Sequence, residues 1–401
     1  MLAPEFFPVW GGTGSYIVEL IKNMPENVDV HVITLKREIK GASSQIENEM
    51  ASVIRRPIRV HYISESKETF FYNLFFQLAC LRKIPALHKE FRFDIIHSHL
   101  CHMPDVFLKL FNRSFANFPT VLTLHGTIQM LRDHALHARS LFGDLESGEE
   151  SILSFFPIVN LLEKQYVKRV SKLIAVSKAT KKLAQDYLNV DSGKIEVIYN
   201  GVDTDVFRPP TQFELSKKYA EPTVMYIGRL ISKKGIHLLV KAIPEVLKSV
   251  PEARFVFVGG GNVSVYRRMI SSMGVPDENF SFVGHVGYFH RPRILHKATV
   301  FVNPSFFENC SLSILEAMSS NAAVVASAVG GNPEIIQSGK NGLLFPPLSH
   351  NILAESIISL LTDEKLNRRL SIEARKTIEK SFSSRMCAQK TLSLYYRILG
   401  Q

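Results

Sequence analysis

Short apolar runs, spaced along the whole chain and separated by segments of helical periodicity, constrain the fold more than any other feature. The run Phe255-Val256-Phe257-Val258 is apolar at every position, and a strand with two apolar faces must be covered by helices on both sides. Strands that alternate with helices are typical of parallel α/β domains. We predict two sets of strands, at 28–35, 59–63, 94–99, 120–125, 172–176 and 195–199, and at 223–228, 254–258, 280–284, 300–303, 323–326 and 342–345.

Two sets of strands predict two doubly wound domains. The chain has 401 residues, which is more than one hydrophobic core usually organises. Turn residues and the pair Pro209-Pro210 interrupt the periodicity between 200 and 210. We therefore predict an α/β fold with a Rossmann-like domain over 1–205, which a helix at 384–401 completes, and a second over 206–383. Ligands of such sheets bind at the carboxyl ends of the strands.

The first strand is unusual. Only Met1, Leu2 and Ala3 precede the turn sequence Pro-Glu-Phe-Phe-Pro at 4–8. Either this strand is very short or the natural protein begins upstream of Met1. Two further segments carry predictions: 70–81 as a buried amphipathic helix, with a membrane-surface helix as the alternative, and the acidic segment 143–150 as a mobile loop.

Composition narrows the class of protein and of partner. No run approaches the roughly 20 apolar residues that a membrane-spanning helix needs, and the four cysteines are scattered singly, which favours a reduced, cytoplasmic location. Lys and Arg outnumber Asp and Glu by 24 to 23 in residues 1–205 and by 24 to 14 in residues 206–401. A basic second half suits an anionic partner such as a nucleotide diphosphate. Nucleic acid is not expected as a partner, because the basic residues are dispersed and no nucleic-acid motif is present.

A glycine-rich segment follows the first strand and opens a helix: Trp10-Gly11-Gly12-Thr13-Gly14-Ser15. Glycines at such a place let the backbone approach a phosphate, whose charge a helix N-terminus favours. A tight strand-to-helix turn needs glycine too, so a structural role stays open. Gly260, within Gly259-Gly260-Gly261 after the strand at 254–258, is open to the same two interpretations.

Two cations follow the first strand of the second set. Arg229 stands at the strand end, and Lys234 lies in a short loop just before the next helix. A guanidinium and an ammonium that converge at the carboxyl end of a strand suit a diphosphate leaving group. The alternative is two solvated surface cations.

Two glutamates, Glu308 and Glu316, flank seven residues after the strand at 300–303. Glu308 is expected in the loop at the strand end and Glu316 in the first turns of the next helix. Both carboxylates then face one crevice, where they accept hydrogen bonds from sugar hydroxyls. The segment Ser313-Ile314-Leu315-Glu316 also has the pattern of a helix capping box, which is the structural alternative.

Histidines cluster near the ends of two strands in the first half. His97, His99, Cys101 and His102 lack a further carboxylate or cysteine pair at familiar ligand spacing, so we expect no metal site. His125 ends an apolar strand just before Gly126, at the expected interdomain crevice. A histidine in that position has either a structural or a catalytic role.

In this order, the segments resemble retaining glycosyltransferases of the GT-B fold, specifically glycosyltransferase family 4. The resemblance runs through nearly the whole chain, and its most specific block is the Glu308/Glu316 pair within 307–318. The other matching segments are Gly11-Gly12, 93–99, Leu124-His125-Gly126, 175–178, 197–203, Gly228-Arg229 with Lys234-Gly235, and 330–334.

The resemblance implies a role for each matching residue. Arg229 and Lys234 clamp the donor diphosphate, Glu316 accepts hydrogen bonds from the ribose hydroxyls, and Glu308 accepts one from a donor-sugar hydroxyl. Gly12 lets the first loop close over the phosphates, and the same donor site includes Gly260, Leu312 and Ser313. His125 lies near the anomeric carbon, and the acceptor side includes Gly11, His99 and His125.

The resemblance further implies an enzyme that keeps the anomeric configuration and needs no metal or other cofactor. Two departures border the donor site: Asn309-Cys310 stands where the family usually has glycine after the first glutamate, and Asn321-Ala322-Ala323 replaces a Gly-x-Pro. We expect them to affect donor identity rather than fold. The alternatives are a non-catalytic relative that binds nucleotide sugars or carbohydrate, and a nucleotide-sugar epimerase on the same fold.

The acceptor is expected to bind the first domain. The aromatic helix 70–81 and the segment 127–165 offer apolar residues beside basic ones, which suits a lipid-linked glycan and a peripheral contact with the inner face of a membrane. A glycan or a small molecule is the other class of acceptor. The corresponding process is the synthesis of a surface polysaccharide, glycolipid or glycoprotein glycan.

Overall fold

The structure is a computed structural model that describes residues 1–6, 11–36, 52–65, 72–99, 105–142 and 147–401. The chain divides into two compact units, Met1–Tyr199 with Ser384–Gln401, and Asn200–Ser383. Both divisions fall in loops close to the predicted boundaries.

The first unit is built on parallel strands, in the positions that the sequence predicts. The strands are β1 (His31–Lys36), β2 (Arg59–Glu65), β3 (Ile96–Ser98), β4 (Thr120–Leu124), β5 (Lys172–Ala175) and β6 (Ile195–Val197). The helices are α1 (Gly12–Lys22), α2 (Tyr72–Phe91), α3 (Val106–Phe111), α4 (Ile128–Phe142), α5 (Ser147–Arg169), α6 (Lys178–Leu188) and, from the end of the chain, α15 (Ser384–Leu399).

The short first strand links two parts of this sheet. β1 pairs with β2, and β3 to β6 form a four-stranded parallel ladder. Leu2 pairs in parallel with Ile33 of β1 and with Ser98 of β3, and its N–H donates to the His97 carbonyl at 2.8 Å. A three-residue segment therefore joins the two ladders, because Leu2 bonds to β3 through its N–H and its carbonyl, while the Met1 carbonyl and the Ala3 N–H bond to Ile33 of β1.

Two predictions outside the strands have different outcomes. The helix predicted at 70–81 is present as α2, which extends to Phe91, while residues 70 and 71 lie outside the described residues. The prediction of a mobile loop at 143–150 is wrong for residues 147–150, which open α5; residues 143–146 lie outside the described residues. A serine followed by two glutamates is also the usual start of a helix, since acidic residues favour its N-terminus.

The second unit is a six-stranded parallel sheet in the order β12-β11-β10-β7-β8-β9. Its strands are β7 (Thr223–Ile227), β8 (Arg254–Val258), β9 (Phe280–Gly284), β10 (Val300–Asn303), β11 (Ala323–Ser327) and β12 (Leu343–Phe345). Its helices are α7 (Gln212–Ala220), α8 (Ile236–Ser249), α9 (Val263–Ser272), α10 (Arg291–Leu295), α11 (Leu312–Ser319), α12 (Asn332–Ile335), α13 (His350–Thr362) and α14 (Glu364–Ser381).

The core of this unit lies between the sheet and the helices, and it is formed by the apolar strand residues from which the fold was predicted. Phe255, Phe257, Val300 and Val302 are fully buried. The strand order reverses between β7 and β10, which is where open α/β sheets bind ligands, beyond the carboxyl ends of the strands. The predicted site residues Arg229 and Glu308 follow these two strands.

Candidate active site

The loops after β7 and β8 are bonded to each other at the carboxyl edge of the second sheet. The Leu230 N–H donates to the Gly260 carbonyl at 2.8 Å, and the Gly228 N–H donates to the Val258 carbonyl at 2.9 Å. Arg229 thus lies beside the glycine segment. A Cβ on Gly260 would meet no atom within 4 Å, so this glycine is not required by packing and its backbone is open to a ligand.

Lys234 and Glu308, which follow the neighbouring strands β7 and β10, form an ion pair. The Lys234 Nζ donates to Glu308 Oε1 at 2.6 Å; the side chains are 26% and 10% exposed. The same oxygen accepts from the Ser305 hydroxyl at 2.8 Å and from Asn303 Nδ2 at 3.4 Å. Within the described residues Oε2 makes no hydrogen bond, so the carboxylate keeps an acceptor for a ligand.

The charge state of Glu308 follows from these neighbours. Burial by itself raises the pKa of this carboxyl, but the Lys234 charge and the hydrogen bonds from Lys234, Ser305 and Asn303 outweigh burial and hold the pKa below its ordinary value. Glu308 is therefore a carboxylate at neutral pH, able to accept a hydroxyl proton in a hydrogen bond.

Two glycines with left-handed backbones allow the loops of this pair to approach closely. Gly235, next to Lys234, has φ +65°, and a Cβ there would lie 1.9 Å from the Pro304 carbonyl oxygen. Gly330 has φ +49°, and its Cβ would lie 1.8 Å from the Glu308 carbonyl oxygen. Only glycine fits either position, so these residues fix where Lys234 and Glu308 stand.

Arg229 is placed differently from Lys234. Its side chain is exposed, and its carbonyl accepts the Tyr226 hydroxyl at 2.9 Å, which fixes the backbone of the loop. The guanidinium makes no hydrogen bond or ion pair with any residue in the described part of the chain. It is consequently available to an anion without first losing a protein partner.

The helix after β10 carries the remaining donor-site residues. Ser311 is the N-cap of α11, and its hydroxyl accepts from Asn303 Nδ2 at 3.1 Å. The same amide nitrogen donates to Glu308, so Asn303 connects the start of the helix to that carboxylate. Leu312 and Ser313 form the first turn and are half-buried. Their N–H groups stand at a helix N-terminus, where an anion is favoured.

Glu316 lies one turn further along α11 and is 5% exposed in its side chain. Its Oε1 accepts from Arg291 Nη1 at 2.6 Å. The capping-box interpretation of 313–316 is wrong, because the helix already begins at Leu312 and the Glu316 carboxylate binds Arg291. The other interpretation of Glu316, as a carboxylate that contacts the ligand, stays a prediction.

The predicted residues of the first unit lie around Tyr16 of α1. The His125 ring is 4.9 Å from the Tyr16 ring, and the His99 ring is 5.7 Å from it, centroid to centroid. Burial lowers the pKa of His125 to about 4 and that of His99 well below its ordinary value. Both imidazoles are therefore neutral at pH 7 and suited to hydrogen bonding rather than to carrying charge.

Gly11 and Gly12 stand at the start of α1, as predicted. Gly11 is the N-cap, and Gly12 is the first helical residue. A Cβ on Gly12 would meet no atom within 4 Å, so its backbone, like that of Gly260, is open. Trp10, the first residue of the glycine-rich segment, lies outside the described residues.

His97 has a structural role. Its Nε2 is 2.7 Å from the Thr123 hydroxyl, and its Nδ1 is hydrogen-bonded to the Tyr395 hydroxyl of α15. Cys101 and His102 lie outside the described residues. In the ranges that are described, no cluster of three or more His, Cys, Asp or Glu side chains has the arrangement of a metal site.

Sequence reasoning missed three residues of the site. Asn303 and Ser305 surround Glu308, and polar residues at the carboxyl end of β10 were a signal that could have indicated them. Arg291 binds Glu316 across 25 positions of the chain, and no local pattern around it indicates that contact.

Two family descriptions together match residues 10–377 of the chain. Glycosyltransferase Family 4 matches residues 10–206, and Glycosyl transferases group 1 matches residues 207–377. With two parallel α/β units, these two matches show that the protein is a glycosyltransferase of the GT-B fold. More particularly, the chain belongs to glycosyltransferase family 4, as its motifs indicated.

Similarity to individual proteins supports the same class. An uncharacterized glycosyltransferase of Methanocaldococcus jannaschii is 23% identical over 393 residues, which cover 97% of this chain and 95% of that protein. Among solved structures, sucrose-phosphate synthase of Thermosynechococcus elongatus has a TM-score of 0.78 at 20% identity, covering 98% of this chain and 94% of that one. HepE of Anabaena, solved with UDP and glucose, has a TM-score of 0.74 at 19% identity, covering 98% and 97%.

Proposed function

We propose that this protein is a retaining, metal-independent glycosyltransferase, which moves a hexosyl group from a nucleotide-diphosphate sugar to an acceptor hydroxyl. The observation that carries the proposal is the pair of cations after β7: Arg229, exposed and without a hydrogen bond or ion pair in the described part of the chain, and Lys234, held on Glu308 at 2.6 Å. These positions suit a ligand with a diphosphate next to a sugar. The relative HepE, which contains UDP and glucose, makes such a donor chemically reasonable.

The reaction needs charge stabilisation at the leaving group. The acceptor hydroxyl attacks the anomeric carbon from the face on which the diphosphate leaves. The bond from that carbon to the phosphate oxygen breaks, its electron pair stays on the diphosphate, and the hydroxyl proton passes to a phosphate oxygen. Arg229, Lys234 and the N–H groups of Leu312 and Ser313 stabilise the growing negative charge, which is the basis for proposing that no metal is needed.

The carboxylates and the neutral histidine orient the reactants. Glu308 Oε2 accepts a hydrogen bond from a donor-sugar hydroxyl, and Glu316 accepts from the ribose. His125 contacts the sugars near the anomeric carbon through hydrogen bonds, while Gly11, Gly12 and His99 line the acceptor side. At the leaving group, one preorganised hydrogen-bond donor typically lowers the activation free energy by about 3 to 4 kcal/mol.

The decisive experiment compares the wild type with Glu308→Gln by calorimetry and a transfer assay, using UDP, GDP, ADP and their glucose or mannose derivatives with and without EDTA. We expect one nucleotide series to bind, transfer or donor hydrolysis unaffected by EDTA, and a product whose NMR coupling matches the donor anomer. Glu308→Gln should bind the nucleoside diphosphate within about threefold of wild type but lose most transfer, because it contacts the sugar. Folded wild type that binds none of these nucleotides would refute the proposal.

We also propose an acceptor carried by a membrane lipid and a peripheral contact with the inner face of the cell membrane. On α5, Phe155, Ile158 and Leu161 are 40%, 63% and 60% exposed, and they share one side of the helix with exposed Lys168 and Arg169. Apolar residues flanked by cations suit an anionic lipid surface. Among the described residues, no helix combines the length and apolarity needed to cross a membrane.

Vesicle co-sedimentation tests this contact. Wild type should pellet with vesicles containing phosphatidylglycerol and stay in solution with pure phosphatidylcholine, and Ile158→Asp/Leu161→Asp should abolish pelleting. Phe213→Asp, which replaces an aromatic residue that is 68% exposed in the second unit, is the matched control and should pellet normally. Equal loss in both variants would argue against α5 as the contact.

A further inference from the structure

The side chains of the buried ion pair Arg291–Glu316 are held more rigidly than those of a surface ion pair. The Arg291 side chain is 17% exposed and that of Glu316 is 5% exposed, with 2.6 Å between Nη1 and Oε1. The guanidinium carbon lies 5.3 Å from the centroid of the buried Tyr288 ring. The Arg291 N–H donates to the Gly287 carbonyl at 3.2 Å, so both the backbone and the head group of this arginine are fixed.

Fold stability does not account for such a pair. Buried ion pairs are often no more stabilising than apolar residues of similar size, because desolvation offsets their attraction. Here the cost is larger still, since Arg291 Nε is buried and has no hydrogen-bond partner among the residues that the structure describes. A group that is kept at such a cost is better explained by binding than by stability, and the accessible part of the guanidinium is the part that a ligand would contact.

The chemistry of the pair indicates which part of a ligand it binds. A carboxylate and a guanidinium together carry no net charge, so this pair is a poorer partner for a phosphate than Arg229, whose guanidinium makes no ion pair with the described residues. Side by side they offer an acceptor and a donor, because Arg291 Nη2 makes no hydrogen bond with the described residues. A hydroxyl group matches both, since it donates to the carboxylate while it accepts from the guanidinium.

We propose that Arg291 is a nucleotide-binding residue that, together with Glu316, selects a ribose over a deoxyribose in the donor. This inference rests on the proposed function and extends it from the carboxylate alone to a donor–acceptor pair. A sugar that lacks the bound hydroxyl leaves the pair with unmatched polar groups. Sites built to hydrogen-bond a hydroxyl reject ligands without it for that reason.

The test is calorimetry with UDP, GDP and ADP and with their 2′-deoxy and 3′-deoxy counterparts. For the base that binds, wild type should prefer the ribonucleotide over at least one deoxy form by about tenfold or more, the range of a charge-assisted hydrogen bond. Arg291→Lys, which keeps a cation beside Glu316 without the planar fork, and Arg291→Met should weaken ribonucleotide binding about tenfold. Binding of that deoxy form should stay within about twofold, so the preference disappears.

Arg293→Met is the matched control, because Arg293 lies on the same short helix with an exposed side chain and should keep the wild-type preference. Equal weakening of ribonucleotide and deoxynucleotide in the Arg291 variants would overturn the inference and leave Arg291 a purely structural residue. An unchanged preference in folded Arg291 variants would overturn it as well. If wild type binds nucleoside diphosphates in either case, the proposed function survives; if it binds none, both fail.

Discussion

Replacing Lys234 by methionine tests the charge balance of the site most directly. The substitution keeps most of the length of the side chain but leaves the buried Glu308 without its cation. Ser305 and Asn303 still donate to the carboxylate, so the group is not stripped of all partners. Loss of one member of a buried pair typically costs about 3 to 5 kcal/mol. Because Lys234 is 26% exposed and solvent screens part of the attraction, we expect about 2 to 3 kcal/mol.

The loss should depend on pH in a defined direction. In wild type the folded pKa of Glu308 lies below its ordinary value, so the pair contributes stability that is fully present above the unfolded pKa of about 4.3 and is lost as pH falls through the folded pKa. Without Lys234, burial dominates and raises the pKa. Ionisation of Glu308 then destabilises the folded variant. The difference in the free energy of unfolding between wild type and the variant therefore grows as pH rises from about 4 to 7.

The assay is thermal and urea unfolding of wild type, Lys234→Met and the control Lys241→Met at pH 4, 5.5 and 7. A loss of 2 to 3 kcal/mol corresponds to a fall in Tm of about 4 to 12 °C for a unit of this size. Lys241 is an exposed residue of α8, and its replacement should change stability by less than about 0.5 kcal/mol. A Lys234→Met variant as stable as the control at pH 7, or a loss that shrinks with pH, would refute the reasoning.

Three further results are expected. Arg229→Met should leave Tm unchanged, since the guanidinium is exposed and makes no bond with the described residues, yet weaken nucleoside-diphosphate binding about 10- to 100-fold in calorimetry; a drop in Tm with normal binding would contradict this. Gly330→Ala should destabilise the fold by about 1 to 3 kcal/mol more than Gly274→Ala in urea unfolding. Both glycines have a positive φ, but only at Gly330 would a Cβ collide with the Glu308 carbonyl oxygen. Equal losses of stability in the two variants would argue against a tight contact. Burial raises the pKa of Glu163 to about 8, so the free energy of unfolding of wild type should fall as pH rises from about 4.3 to 8. Glu163→Gln should reduce this pH dependence. An unchanged pH dependence in the variant would assign it to other groups.

Much of the fold could be predicted because strands are local features. Each of the twelve strands in the described residues was predicted from short segments rich in Val and Ile that alternate with helical segments, whereas the order of the strands in each sheet was not predicted. The start of α5 was mistaken for a loop, because acidic residues and glycine are common to loops and to helix N-termini. The joining of two ladders through Leu2 could not be read from sequence, since three residues carry no periodicity.

The candidate site, like the fold, has features that can be predicted from the sequence and features that cannot. The residue types that follow each strand can be identified from the sequence: Arg229 after β7, Glu308 after β10, and Glu316 one turn into α11. Which of these charges form pairs depends on how the loops are folded against each other. Lys234 and Glu308 are 74 positions apart, and Arg291 and Glu316 are 25 apart. Periodicity reports how a segment faces its own core, whereas contacts between loops depend on how closely their backbones approach, which here is set by glycines such as Gly235 and Gly330.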